Sequence, residues 1–212
     1  MPLKIAMVRI DRDVGCQITV RVCTHILNTH MYKWQAPYLI LDDFLDADIY
    51  TWCCEFFRTG TLKTHPNHGD NWHQSKNRIS VSGKRDIQDP FMQEIYDRLN
   101  DPMLKYLETM APHKIPLYQH TELQFIANGA ENDFPIHNDT ADKLLSAVIY
   151  LAPQHNRGTV LYSDHTGNDP YQVEWQPNRA FIFSRTEHTW HSYSSDGVST
   201  RQTLIYNLRG RA

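Results

Sequence analysis

The chain has 212 residues, a formal charge of −3, 41% hydrophobic residues and 21% charged residues. This is ordinary globular composition at a length that suits one domain. It argues against a disordered chain, a general nucleic-acid binder or a membrane-surface binder. No apolar run approaches a membrane span, and the N-terminus lacks the long apolar segment of a secretory signal.

Cys16, Cys23, Cys53 and Cys54 form no C-x2-C pair, so the expectation is a cytoplasmic, reduced protein with buried structural thiols. The unusual number is twelve histidines.

Residues 5–10 and 17–22 read as two β runs around a turn containing Asp11, Asp13 and Gly15. Residues 1–30 are therefore expected to be an N-terminal extension. It reads either as a β-hairpin added to the main domain or as a segment upstream of an alternative start at Met31. The main domain is expected over 31–212.

Tyr38 to Leu41 reads as a short strand, and Asp42-Asp43-Phe44-Leu45 leads into a helix to Arg58 that Gly60 ends. Residues 61–77, rich in His, Asn and Thr, read as an exposed loop. Over 88–110, Phe91, Ile95, Leu99, Leu107 and Met110 fall near helical spacing. Pro102 lies among them, so two helices or a break are expected there.

From Pro116 the period changes to two. Short β runs fall at 118–127, 135–139, 144–152, 158–163, 171–175, 179–184, 189–193 and 200–208, with polar turns between them. Helices followed by an antiparallel β block give an α+β, mainly β chain, with the β block a sandwich or barrel.

Two His and one carboxylate on one face, with other positions open, suit a mononuclear iron(II) centre for oxygen chemistry. A His-x-Asp on a strand can supply two of the three ligands, because residues i and i+2 point the same way. The triplet alone is a weak signal in a chain with twelve histidines, and it occurs twice. His68-Gly69-Asp70 sits in the polar loop and reads as solvated. His137-Asn138-Asp139 ends a β run, and the strongly β-forming 144–151 follows it.

Downstream, Trp190-His191 follows the strand 178–184, and Arg201 opens the last strand ten residues after His191. His188 competes with His191 as the distal ligand, and the Trp-His context and the distance to Arg201 favour His191. Arg201 and Thr203 share a strand face. A guanidinium fork and a hydroxyl two residues apart can clamp a carboxylate.

In order and spacing these features resemble the 2-oxoglutarate- and iron(II)-dependent oxygenases, in particular the prolyl-4-hydroxylase-like branch, over residues 37–208. The run 36–45 is similar to that family's entry strand, and 146–151 and 158–162 to the strands after its His-x-Asp. The resemblance implies a double-stranded β-helix, a jelly-roll variant, flanked by helices.

It also implies His137, Asp139 and His191 as iron ligands and Arg201 as the partner of the far carboxylate of 2-oxoglutarate, with Thr203 and Tyr150 assisting. The implied cofactors are Fe(II), 2-oxoglutarate and O2, with ascorbate a candidate reductant. The chemistry implied is hydroxylation of an unactivated C–H bond in a prolyl residue of a peptide or in a small amino-acid-like molecule.

The loop with His65, His68, Trp72 and His73 reads either as a substrate lid or as a surface connector. Two positions depart from the family pattern. Ile126 stands where a Tyr is usual before Gly129, and Arg157-Gly158 replaces a pair of glycines. A non-enzymatic jelly-roll binding module is the alternative reading.

Overall fold

A computed structural model describes residues 4–12, 18–26, 36–59, 68–69, 78–84 and 89–211. Strand β1 (Lys4–Arg12) pairs antiparallel with β2 (Ile18–Ile26) in a sheet of their own. The remaining strands form two antiparallel sheets. In chain order they are β3 (Tyr38–Leu41), β4 (His68–Gly69), β5 (Arg78–Lys84), β6 (Tyr118–Asn128), β7 (Phe134–His137), β8 (Lys143–Ala152), β9 (Val160–Leu161), β10 (Tyr171–Gln172), β11 (Ala180–Phe183), β12 (His191–Tyr193) and β13 (Arg201–Gly210).

The larger sheet runs β3-β11-β8-β13-β6-β5-β4 and the smaller β10-β9-β12-β7. The eight β runs read over 118–208 all appear, with shifted ends. Strand β5 is not among the expected β runs, although Ile79 and Val81 alternate with Ser80 and Ser82. The segment 61–77, expected as an exposed loop or lid, lies outside the described residues except for His68 and Gly69. Those two pair as a strand with Val81 and Ser80. Trp72 and His73 fall outside the described residues.

Period-two alternation sorts the central strands into two environments. On β6, β8 and β13, Leu123, Phe125, Leu145, Ala147, Ile149, Leu204, Tyr206 and Leu208 are fully buried and face the helices. Helix α1 (Ala47–Arg58) brings Ile49, Cys53 and Phe56 to this core at i, i+4, i+7 spacing. Phe56 packs on Phe125 with ring centroids 4.6 Å apart. Cys53 is buried, Cys54 is half-buried, and neither is in a disulfide.

Helix α2 spans Pro90–Met110 without interruption, Pro102 included. The expected break at Pro102 is therefore corrected. A mid-helix proline costs about 3 kcal/mol. Against it, Met92, Ile95, Leu99, Met103, Tyr106 and Leu107 are buried on both sides of the proline, each contributing roughly 1.5–3 kcal/mol. Packing of one continuous apolar face outweighs the local penalty. Asp89 caps the helix by accepting from Met92 N at 2.9 Å, and Pro90 follows at the first helical position, where its missing N–H costs nothing.

The opposite face of the larger sheet is polar at its centre. Gln124, Ile126 and Asn128 of β6, Ser146 and Val148 of β8, and Arg201, Thr203, Ile205 and Asn207 of β13 face the smaller sheet across a cavity of about 120 Å³. Among the described residues no helix is long and apolar enough to cross a membrane.

Candidate active site

His137 and His191 are cross-strand partners in the β7–β12 pair, which puts their rings 4.2 Å apart at the cavity wall. Asp139 follows the end of β7, so strand periodicity does not aim it, contrary to the sequence expectation. Its position comes from partners instead. Oδ1 accepts from Lys143 Nζ at 2.6 Å, Oδ2 accepts from Ser146 Oγ at 3.0 Å, and the backbone carbonyl accepts from Arg185 Nε at 3.1 Å. One ligand atom from each of His137, Asp139 and His191 lies within 4.8 Å of the others.

His188 stands exposed in a turn away from this cluster, which leaves His191 as the histidine that the structure brings to it.

The imidazoles are oriented by the backbone. His137 Nδ1 lies 2.9 Å from the Pro135 carbonyl and His191 Nδ1 2.8 Å from the Thr189 carbonyl. A carbonyl oxygen only accepts, so each Nδ1 carries the proton and each Nε2 keeps its lone pair. This is the tautomer a metal needs, held by outer partners before any metal arrives.

Burial, with the neighbouring His191, lowers His137 to about 4, and burial also lowers His191, so both rings are neutral at neutral pH. Burial works against the Asp139 charge, but Lys143 and His191 outweigh it and hold the carboxyl well below the usual carboxylate range.

Asn138, the middle residue of the triplet, ties together the two segments that carry the His137–Asp139–His191 cluster. Its Nδ2 donates to the Thr186 carbonyl at 2.8 Å, and its Oδ1 accepts from the buried Thr189 hydroxyl at 2.7 Å.

Arg201 is buried at the start of β13, with its guanidinium 4.2 Å from the Tyr193 ring centroid and 5.5 and 5.7 Å from those of Tyr150 and Trp175. Burial pushes the guanidinium down, opposed by the Tyr150 and Tyr193 phenols. Its Nε has no hydrogen-bond partner, and neither does Thr203 Oγ1 two residues on. A buried cation with an unpaired donor is costly unless an anion completes it. The pair therefore fits a ligand carboxylate, and the two-His, one-Asp donor set fits iron(II) with open positions.

Tyr150 lies beside Arg201 and is itself held in place by neighbouring residues. Its hydroxyl accepts from Thr159 N at 2.8 Å and donates to Thr159 Oγ1 at 3.1 Å, and its ring stacks on Trp175 with centroids 4.6 Å apart. Its ring packs beside Arg201, and Tyr193, on the other sheet, lines the cavity. Gly158, the single glycine of Arg157-Gly158, is required here: a Cβ would lie 1.8 Å from the Val173 carbonyl oxygen.

Lys143, Ser146, Tyr193 and Asn207 were not singled out as cavity residues from the sequence. Only the pairing of β8 with β13 and β7 with β12 brings them there.

No protein-family model matches the chain, and no curated protein sequence matches it. Solved structures do share its fold. A prolyl-4-hydroxylase of Pseudomonas putida is 16% identical with a TM-score of 0.62, over 84% of this chain and 94% of that one. The dioxygenase for auxin oxidation of Arabidopsis thaliana, in a binary complex with 2-oxoglutarate, is 7% identical with a TM-score of 0.62, over 85% of each chain. A prolyl hydroxylase of Trichoplax adhaerens, in complex with a peptide fragment of the hypoxia inducible factor oxygen degradation domain, is 15% identical with a TM-score of 0.54, over 82% and 83%.

The fold is thus that of the 2-oxoglutarate/Fe(II) oxygenases. Within that class the similar structures include many of the prolyl-4-hydroxylase-like branch.

Proposed function

We propose that this protein is a 2-oxoglutarate- and Fe(II)-dependent oxygenase that hydroxylates an unactivated C–H bond. The two antiparallel sheets are read as the double-stranded β-helix, or jelly roll, of that class. The observation that carries the reading is the coexistence, in one cavity, of the His137–Asp139–His191 cluster and a buried Arg201 with an unpaired donor. A structural histidine pair would not call for an orphaned guanidinium nearby, whereas a metal chelated by a dianionic keto acid calls for both.

In this reading His137 Nε2, His191 Nε2 and the Asp139 carboxylate hold iron. Arg201 and Thr203 hold the far carboxylate of 2-oxoglutarate. Iron with 2-oxoglutarate supplies the oxidation of the C–H bond by O2, with succinate and CO2 as coproducts, and ascorbate is a candidate reductant.

The chain's own contribution is positional. The Pro135 and Thr189 carbonyls fix the imidazole tautomers, Ser146 orients the Asp139 carboxylate, and Lys143 matches its charge before a metal is bound. Tyr193, Tyr150 and Trp175 wall Arg201 from water, which strengthens its attraction for a carboxylate. The test is succinate formation from 2-oxoglutarate by the purified chain with iron(II) under air. Wild type forms succinate and Asp139→Ala does not. Equal yields from the two proteins would remove the proposal.

A further inference from the structure

The cavity runs from Arg201 along β13 to a second polar end. Four residues of β13, Arg201, Thr203, Ile205 and Asn207, line it, a span of roughly 20 Å at strand rise. Asn207 is fully buried. Its Nδ2 donates to the Glu122 carboxylate at 3.2 Å, which fixes the amide orientation, and its Oδ1 has no partner. A buried acceptor left unpaired in a residue that lines the cavity calls for a ligand donor.

A cation, Lys143, lines the same cavity, with its ammonium on Asp139 at 2.6 Å. Asn207 is opposite Ser146, but the next pairs are Leu208 with Leu145 and Arg209 with Lys143, so Leu144 is skipped. Without that bulge the alternation would point Lys143 toward the helices with Leu145 and Ala147. With it, Lys143 comes to the cavity side with Ser146 and Val148. The aliphatic neighbour Ile205 separates this end from Thr203.

Resting on the oxygenase reading, we infer that Asn207 and Lys143 form a substrate subsite for a small acid that carries a hydrogen-bond donor beside its carboxylate, a free α-amino or α-hydroxy acid. Asn207 Oδ1 accepts from the amino or hydroxyl group, and Lys143 Nζ faces the carboxylate. In the metal-free protein the Lys143 charge is matched by Asp139. A divalent cation on Asp139 takes up that negative charge and leaves the ammonium in need of another anion, which couples substrate binding to metal loading. A residue inside a polypeptide has no free carboxylate and does not satisfy Lys143.

The test uses the full chain loaded with Mn(II), a redox-silent stand-in, and 2-oxoglutarate. Free L-amino acids, the matching α-hydroxy acids, their N-acetyl amides and a prolyl peptide are screened by thermal shift and then titrated calorimetrically. The expected result is binding of at least one free acid, no binding of its blocked form, and about tenfold weaker binding in Asn207→Leu. Mn(II) and 2-oxoglutarate binding are retained in that variant. Lys143→Met loses the preference for free over blocked acid.

Binding of no acid, equal binding of blocked forms or of the peptide, or an unchanged affinity in Asn207→Leu overturns the subsite. Failure of 2-oxoglutarate to bind the wild type is a separate result and strikes the oxygenase reading itself.

Discussion

Replacing Asn138 by alanine asks whether the two ligand-bearing segments are held ready for a metal or are assembled by it. The substitution removes the Asn138 Nδ2 bond to the Thr186 carbonyl at 2.8 Å and the acceptor of the Thr189 hydroxyl at 2.7 Å. Each such bond contributes roughly 0.5–1.5 kcal/mol net. The Thr189 hydroxyl keeps a second acceptor in the Thr186 carbonyl at 2.9 Å, so the loss falls at about 1–2 kcal/mol. Thr189 is also the residue whose carbonyl orients His191, so slack in this turn reaches that imidazole directly.

If the metal must supply all of that lost order, its affinity falls by about 5- to 30-fold, because 1.4 kcal/mol is a factor of ten. The assay is Mn(II) titration followed by electron paramagnetic resonance, with urea denaturation of the metal-free protein alongside. The expected outcome is weaker Mn(II) binding with an unchanged denaturation slope. A stability loss of that size with Mn(II) affinity within about twofold of wild type would refute the reasoning, because the clamp would then serve the fold alone.

Arg201→Lys keeps a positive charge but removes the planar fork. 2-Oxoglutarate affinity, measured calorimetrically with Mn(II) present, should fall at least about 30-fold while Mn(II) binding persists. Phe125→Ala empties a site where Phe125 is fully buried against Phe56 and Phe91, and should cost about 3–5 kcal/mol in urea denaturation. Pro102→Ala restores a helical hydrogen-bond donor within a continuous helix. It should raise Tm, with about 3 kcal/mol as the ceiling, and a lowered Tm would contradict the packing account of α2.

Acid stability offers a further check. Burial raises the Asp142 carboxyl, but hydrogen bonds from Thr140 and Arg209 outweigh this and hold it below its ordinary value. The unfolded chain therefore takes up a proton first as pH falls below about 4, and stability declines through that window. Denaturation curves from pH 6 to 3 should show less of that decline in Asp142→Asn, by under about 1 kcal/mol because the pair is partly exposed.

The elements that depend on local pattern were legible. Helix α1 shows its i, i+4 stripe in Ile49, Cys53 and Phe56, and the strands from β6 onward show alternation because one face is aliphatic and the other lines a cavity. The same alternation placed Arg201 and Thr203 on one face. Elements ruled by tertiary contacts were not legible. The continuity of α2 through Pro102 reflects what lies beneath both halves of the helix.

By itself the sequence determined the β-rich class, the order of the strands and the spacing of His137, Asp139, His191 and Arg201, because these follow from periodicity and from chemistry carried by single residues. Only the tertiary structure decided how the site is set. Cross-strand register put His137 against His191, and Lys143 and Ser146 aimed an Asp139 that lies beyond its strand. Tyr193 and Tyr150 came to Arg201 from different strands, and a bulge at Leu144 brought Lys143 to the cavity wall with Asn207. Register and bulges are properties of strand pairs, and neither strand of a pair encodes them alone.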